Sequence, residues 1–175
     1  MIAPGPVTLI STSYHDQPNI MTAGWLQPLS LDLTLIGVAV QPSRLTHEFM
    51  TKSEAFVVNI PNVDLMSAVH LCGMVSGREK DKWAAAKLEP AEASVVEAPI
   101  VAECVGHIEC EVVDRVSWGD HDLFIGRVIA ASADEEAFKV IWDVTTEAGQ
   151  LLHHLGGDRY AGLSKPYQAK LPSEE

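Results

Sequence analysis

The sequence predicts a mainly β fold of the barrel class with short inserted helices. Three observations carry that prediction. Compact runs rich in Val, Ile, Leu and Thr recur at strand length, as in Val7–Thr12, Leu33–Val40 and Ala55–Ile60. Between Cys104 and Val116 the pattern partly alternates, with Val105, Ile108, Cys110 and Val112 set against His107, Glu109 and Glu111. Strand and helix patterns do not follow one another in the regular order that a doubly wound parallel sheet requires.

Taken in order, Val7–Thr12 is the first strand, and Tyr14–Asn19 reads as a turn because Asp16, Pro18 and Asn19 favour bent backbone. A second strand follows through Trp25, whose indole is expected in the core. Leu33–Val40 reads as a buried third strand, and three strands so close in sequence suit a meander. Pro42–Met50 opens a helix, with Ser43 as N-cap and Leu45, Phe49 and Met50 at helical spacing. Ala55–Ile60 is a strand ended by Pro61. Asp64–Cys72 is a second helix carrying Leu65, Val69 and Cys72 on one side, with Gly73 as its stop. Lys80–Lys87 has room for one or two further helical turns. Glu97–Val101 and Cys104–Val116 are extended, Ser117–Asp120 is a turn, and Leu123–Ala131 is an apolar strand, so the last two long strands form an antiparallel hairpin. Gln168–Glu175 reads as a flexible tail, and residues 1–175 as one domain without internal repeats.

The chain has 175 residues, 24 of them acidic and 12 basic, for a formal net charge of -12. A nucleic acid or an anionic membrane surface needs basic protein, so both are disfavoured as partners. No apolar run is long enough to span a bilayer, and Met1–Pro6 lacks the positive segment of a signal peptide, so the cytoplasm is the expected location. Cys72, Cys104 and Cys110 are odd in number and contain no Cys-x-x-Cys, which argues against a disulfide framework or a zinc site. The even spacing of Cys104 and Cys110 puts them on one face of a strand, as small core residues. The histidines are scattered, and the adjacent His153–His154 pair cannot easily face one ion, so no metal site is expected.

Four segments carry candidate chemistry. Asn19 and Thr22 offer hydrogen bonds, while Met21, Ala23 and Gly24 let backbone approach a flat ligand. Ser43, Arg44 and Thr46 stand at a helix start, where unpaired N–H groups, a hydroxyl and a guanidinium suit an anion. Read alone, the same residues are a capping Ser followed by a solvated Arg. Ser76, Gly77, Arg78 and Lys82 belong to a basic loop in an acidic chain, which reads equally as an anion cradle or as solvated surface. His121 follows a Gly-Asp turn, placed either for proton or hydrogen-bonding chemistry or for simple exposure. There is no Gly-x-Gly-x-x-Gly, no Walker pattern and no Gly-x-Ser-x-Gly, so a dinucleotide fingerprint, a P-loop and a hydrolase elbow are all missing.

In their order and spacing these segments resemble the flavin reductase-like family, flavoredoxins included. Pro18–Trp25 looks like that family's flavin-binding turn, and Pro42-Ser43-Arg44-Leu45-Thr46 like its phosphate-side helix start. Phe56–Pro61 resembles the following strand. Cys72-Gly73 through Ser76-Gly77-Arg78 to Asp81-Lys82-Trp83 is similar to its basic loop, with Trp83 in place of the commoner Phe. Gly119-Asp120-His121 with Gly126 looks like the GDH turn and strand, and Leu155–Tyr160 like the closing motif. The resemblance runs from about Pro6 to Leu163. It implies a split β-barrel of Greek-key type, a homodimer, and FMN (with FAD as the alternative flavin) in a groove near the dimer interface.

On that resemblance Asn19, Met21, Thr22, Ala23, Gly24, Ser43, Arg44, Thr46, Ser76, Gly77, Arg78, Lys82 and Tyr160 hold the cofactor, and His121 is catalytic. NAD(P)H is the transient reductant and approaches the exposed ring without a Rossmann domain. The function implied is an oxidoreductase passing electrons from NAD(P)H through flavin to an acceptor. The alternative is a flavoredoxin-like FMN carrier that exchanges electrons with a redox partner protein. A third reading is a barrel module for another ligand, such as haem or pyridoxal phosphate.

Overall fold

The computed structural model of the chain describes residues 5–163 and 165–169. Its strands are β1 (Gly5–Pro6), β2 (Thr8–Tyr14), β3 (Gln17–Ala23), β4 (Leu26–Ser30), β5 (Leu35–Val40), β6 (Ala55–Ile60), β7 (Pro90–Ala91), β8 (Ile100–Val101), β9 (Gly106–Trp118), β10 (His121–Ala133), β11 (Leu152–Gly156) and β12 (Arg159–Gly162). The helices are α1 (Leu45–Ser53), α2 (Met66–Met74) and α3 (Lys82–Ala86), with a 3-10 turn at Val63–Leu65. No helix among the described residues is long and apolar enough to cross a membrane. Beyond residue 169 the tail expected at 168–175 lies outside the described residues, as does the stretch before Gly5.

The main sheet has seven strands in the order β3-β2-β6-β9-β10-β5-β4, all antiparallel. Its two edges, β3 and β4, are consecutive in the chain and separated only by Gly24 and Trp25. A sheet whose first and last strands share a two-residue connection has to roll on itself, and the result is a split barrel. The meander expected from the first strands is not what forms. β5 pairs with β10 and β4 at the far side of the sheet and never with β3. β4 was not expected at all.

Period-two alternation explains how the sheet buries both faces. Ile10, Met21, Val38, Phe56, Val58, Cys110 and Phe124 point inward, and Met50 of α1 plugs the same core. The alternate residues Leu9 and Ile20 point outward, under Val69 and Cys72 of α2, Trp83 of α3, Val101 and Leu152. Each such fully buried side chain contributes roughly 1.5–3 kcal/mol. At one inner position only glycine fits. A Cβ on Gly126 would sit 2.5 Å from Phe56 Cζ, beside the bulge in the β9–β10 ladder.

Several local expectations need correction. The first hairpin turns on two residues, His15 and Asp16, both at positive φ, and the strands run to Tyr14 and from Gln17. β3 stops at Ala23, so it does not reach Trp25. Arg44, not Ser43, holds the N-cap position of α1. Gly73 does not end α2, which continues to Met74 and is capped by extended Val75. Gly73 instead presents its bare Cα to Thr22, whose Cβ would lie 3.4 Å from a Cβ there. Cys104 and Cys110 are both buried but do not share a face. Cys104 precedes β9 and packs in the outer cluster, while Cys110 packs in the inner one. Ala55–Ile60 and the long β9–β10 hairpin form as expected.

Candidate functional site

The corner where the sheet edges meet opens into a cavity of about 220 Å³. β3 and the Gly24–Trp25 connection form one wall, the end of β5 and the start of α1 a second, and the end of α2 with residues 75–77 a third. Among the predicted site residues, Asn19, Met21, Thr22, Ala23, Gly24, Ser43, Arg44, Thr46, Ser76, Gly77, Lys82 and His121 all line it. Arg78 and Tyr160 do not.

The start of α1 is built for an anion. Arg44 sits at the N-cap in extended backbone, and no side chain bonds the first-turn N–H groups. The helix therefore offers unpaired donors at its positive end. Ser43, Arg44, Leu45 and Thr46 all face the cavity there.

Lys82 adds a second cation from the opposite wall. It is 6% exposed and donates to the Cys72 carbonyl at 2.9 Å, which uses one of its three N–H bonds. Burial pulls the ammonium below the ordinary lysine range, and the positive charge of Arg44 pushes the same way. Burial also pushes the neighbouring Cys72 thiol up to about 11, so it stays protonated near neutrality. None of the described residues lining the cavity is acidic, although the chain carries 24 acidic residues.

The floor is held by hydrogen bonds between elements distant in sequence. Asn19 Nδ2 on β3 donates to Thr46 Oγ1 on α1 at 2.8 Å, and both residues are buried. A Cβ on Gly77 would overlap Asn19 Oδ1 and sit 3.1 Å from Leu45 Cδ2, so glycine lets the 75–77 segment close on the floor. Thr22 donates its hydroxyl to the Val69 carbonyl at 2.5 Å and fastens α2 to β3.

His121 opens β10 beside the cavity. Its Nδ1 pairs with Asp120 Oδ1 at 2.8 Å, and that bond holds the Asp120 carboxyl below its usual range. Gln41 reaches the other Asp120 oxygen at 3.5 Å. The imidazole also lies 4.7 Å from the Trp25 ring, centroid to centroid, at an interplanar angle of 37°. Trp25 is 65% exposed, so it is not a core residue. It is an aromatic wall of the cavity, and sequence reasoning missed it along with Gln41 and Cys72. The sequence carries no signal for this, because the strand that follows Trp25 is not marked in it.

The two predicted residues outside the cavity have other partners. Arg78 pairs with Glu48 at 2.7 Å, and Glu48 also binds Lys52. This exposed cluster ties the 76–80 segment to α1. Tyr160 meets His70 Nδ1 through its hydroxyl at 3.2 Å and packs against the His154 ring. Among the described residues no three His, Cys, Asp or Glu side chains converge to hold a metal ion.

Two cations, four hydroxyl side chains and unpaired helix N–H groups stand beside an aromatic-histidine wall, the groups that a planar ligand with an anionic tail would need. Comparisons with known proteins bear on which one. The model of the Flavin reductase like domain matches residues 2–160. An uncharacterized protein of Pyrococcus abyssi is 35% identical over 139 residues, which cover 79% of this chain and 80% of that one. The crystal structure of an FMN-binding protein from Thermus thermophilus with bound 1-cyclohex-2-enone superposes with a TM-score of 0.85 at 28% identity, covering 97% of this chain and 92% of that one. Flavoredoxin from Methanosarcina acetivorans superposes with a TM-score of 0.88 at 27% identity, covering 99% and 92%. Matched over nearly its whole length and rolled into the same split barrel, the chain belongs to the flavin reductase-like family.

Proposed function

We propose that the chain binds FMN in this cavity and works as an oxidoreductase that moves electrons from NAD(P)H to an acceptor. One observation carries the reading: Arg44 and Lys82 converge on a cavity without a single acidic side chain among the described residues that line it, in a chain of net charge -12. The buried Lys82 ammonium, with the Arg44 charge near it, is costly unless an anion accompanies it. Ser43, Thr46 and Ser76 add hydroxyls to the same lining, and Gly77 is bare where a side chain would displace Asn19. These residues fit a phosphorylated flavin, and FAD shares the ring and the first phosphate. The chemistry supplied by the bound flavin is reversible two-electron redox that couples a nicotinamide to the acceptor.

In this reading Ser43, Arg44, Thr46 and Lys82 hold the phosphate. Asn19 and Thr22 address the polar edge of the ligand, and Met21, Ala23 and Gly24 present close backbone. Trp25 and His121 form a wall against the ring or the incoming substrate. Asp120 fixes the Nδ1 side of His121, which leaves Nε2 for the substrate. The exposed apolar residues Trp25, Leu31 and Leu33 border the open edge of β4 and suit coverage by a second copy, as a homodimer requires. Three free, buried cysteines accord with the reducing cytoplasm.

The carrier reading keeps the same cofactor site and drops the nicotinamide. Its supporting observation is the net charge of -12, which steers a basic protein partner. Stopped-flow mixing of the FMN-loaded protein with NADH or NADPH separates the two. Bleaching of the flavin band within seconds supports the enzyme, and its persistence supports the carrier. The binding site is tested by Arg44→Ala. FMN affinity is expected to fall about tenfold or more while riboflavin is little changed. Equal weakening of the two ligands removes Arg44 from the phosphate.

A further inference from the structure

We propose that His47 and Asp122 are a positioning pair that holds the anion-binding turn of the cavity in fixed relation to the strand carrying His121. The inference rests on the flavin reading above. Thr46 and His121 line the cavity, and their chain neighbours His47 and Asp122 do not. Those neighbours bond each other instead, His47 Nε2 to Asp122 Oδ2 at 2.8 Å, with both side chains 12% exposed. Seventy-five positions separate them in the chain.

The first turn of α1 is therefore fastened on two sides by consecutive residues. Thr46 accepts from Asn19 on β3, and His47 bonds Asp122 on β10. β3 and β10 are not neighbours in the sheet. α1 thus bridges two walls of the barrel at the point where Arg44 and Thr46 enter the cavity. Helix placement by packing alone leaves room for small shifts, whereas a mostly buried hydrogen bond between side chains of two elements fixes one geometry.

Further bonds hold the pair itself. Arg115 on β9 brings Nε to 3.7 Å from the same Asp122 oxygen, and its Nη1 donates to Thr51 Oγ1 at 2.8 Å. Thr51 in turn donates to the His47 carbonyl at 2.8 Å. The Phe124 ring meets the His47 imidazole at right angles, 5.0 Å between centroids. The groups facing Asp122 are the His47 imidazole, hydrogen-bonded to it, and the Arg115 guanidinium, paired with it at 3.7 Å. On the exposed side Glu48 of α1 pairs with both Lys52 and Arg78. Bonds from His47 and then Ser117 hold the Asp122 carboxyl below its usual range.

Titration of the wild-type protein, His47→Ala, Asp122→Ala and the double variant with FMN and with riboflavin tests the proposal. Each single change is expected to weaken FMN about tenfold or more and riboflavin less than about threefold, because the ring site keeps its own contacts. The double variant is expected to match either single one, since the two side chains act as a unit. His47→Gln, which keeps a donor toward Asp122, is expected to recover most of the FMN affinity. A uniform loss for both ligands, additive effects in the double variant, or no rescue by glutamine overturns the pair's positioning role. Asp122→Asn carries the cycle if Asp122→Ala does not fold. Wild-type protein that binds neither flavin sinks the flavin reading and the inference with it. Wild-type binding with unchanged variants sinks the inference alone.

Discussion

Lys82→Met separates what the buried cation does for the fold from what it does for the ligand. In the ligand-free protein two effects oppose each other. Methionine loses the bond to the Cys72 carbonyl, 2.9 Å long, near the C-terminal end of α2. That loss costs about 1.5–3 kcal/mol, the range for a hydrogen bond to a charged group. Methionine also removes an ammonium that burial and Arg44 both disfavour, and fills the same volume with apolar atoms. The two nearly cancel, so the stability of the empty protein is expected to change by less than about 1 kcal/mol, or a few degrees in Tm. Toward FMN only one effect remains. A charge-assisted bond to phosphate contributes about 1.5–3 kcal/mol, so Kd is expected to rise about 10- to 150-fold. Riboflavin, lacking the phosphate, is expected to bind as before. Thermal melts with and without each ligand, together with fluorescence titrations, read all three quantities. A variant that binds FMN and riboflavin equally less well, or one that unfolds without any ligand, refutes the assignment of Lys82 to the phosphate.

Three further outcomes follow from the same geometry. Because Lys82 is lowered in the fold, the unfolded chain holds more protons between that lowered value and the ordinary lysine value. The empty protein should therefore gain stability as pH rises through that window, while FMN affinity falls there, and both dependences should vanish in Lys82→Met; denaturant titrations at stepped alkaline pH check this, and an unchanged profile in the variant contradicts it. Trp25→Ala removes an exposed ring packed at a tilt against His121, so stability should move by less than about 1 kcal/mol while FMN and riboflavin both weaken about tenfold; a phosphate-dependent effect would place Trp25 elsewhere. His121→Ala should slow flavin reduction by NAD(P)H about 10- to 100-fold with less than a threefold change in FMN affinity, and an unaltered stopped-flow rate removes His121 from the reaction.

The parts of this fold legible in the sequence are those whose burial is local. Ala55–Ile60 is apolar on both faces because it lies centrally in the sheet, between β2 and β9, and Pro61 marks its end. The β9–β10 hairpin shows through its length and its Gly119 turn, where φ is +66°. β4 stayed hidden because it is an edge strand with Pro28 in its middle and no fully buried residue, so neither period nor composition marks it. The same rolling of the sheet that makes β4 an edge also exposed Trp25, which a flat meander would have buried. Ser43 looked like a cap because Ser precedes a helical pattern, but the backbone turns one residue later and leaves its hydroxyl to the cavity.

Most of the cavity lining was readable because its residue types come in short segments, each with a chemical character of its own. Arg78 lies outside the lining because charge in a basic loop does not say which way a side chain leaves the backbone, and Glu48 on α1 pairs with it. Tyr160 sits at the end of the family's closing motif, and yet its hydroxyl goes to His70. The contacts that close the site, Asn19 with Thr46 and His47 with Asp122, join elements far apart in sequence. They exist only once the barrel has formed.

The location of the phosphate is the point on which the account stands, and a crystal structure of the protein soaked with FMN measures it directly. The expected result is a phosphate within hydrogen-bonding distance of Arg44, Thr46 and Lys82, with the ring reaching Trp25 and His121. Flavin density elsewhere on the barrel, or a phosphate pointing out to solvent while those cations stay unengaged, contradicts the account.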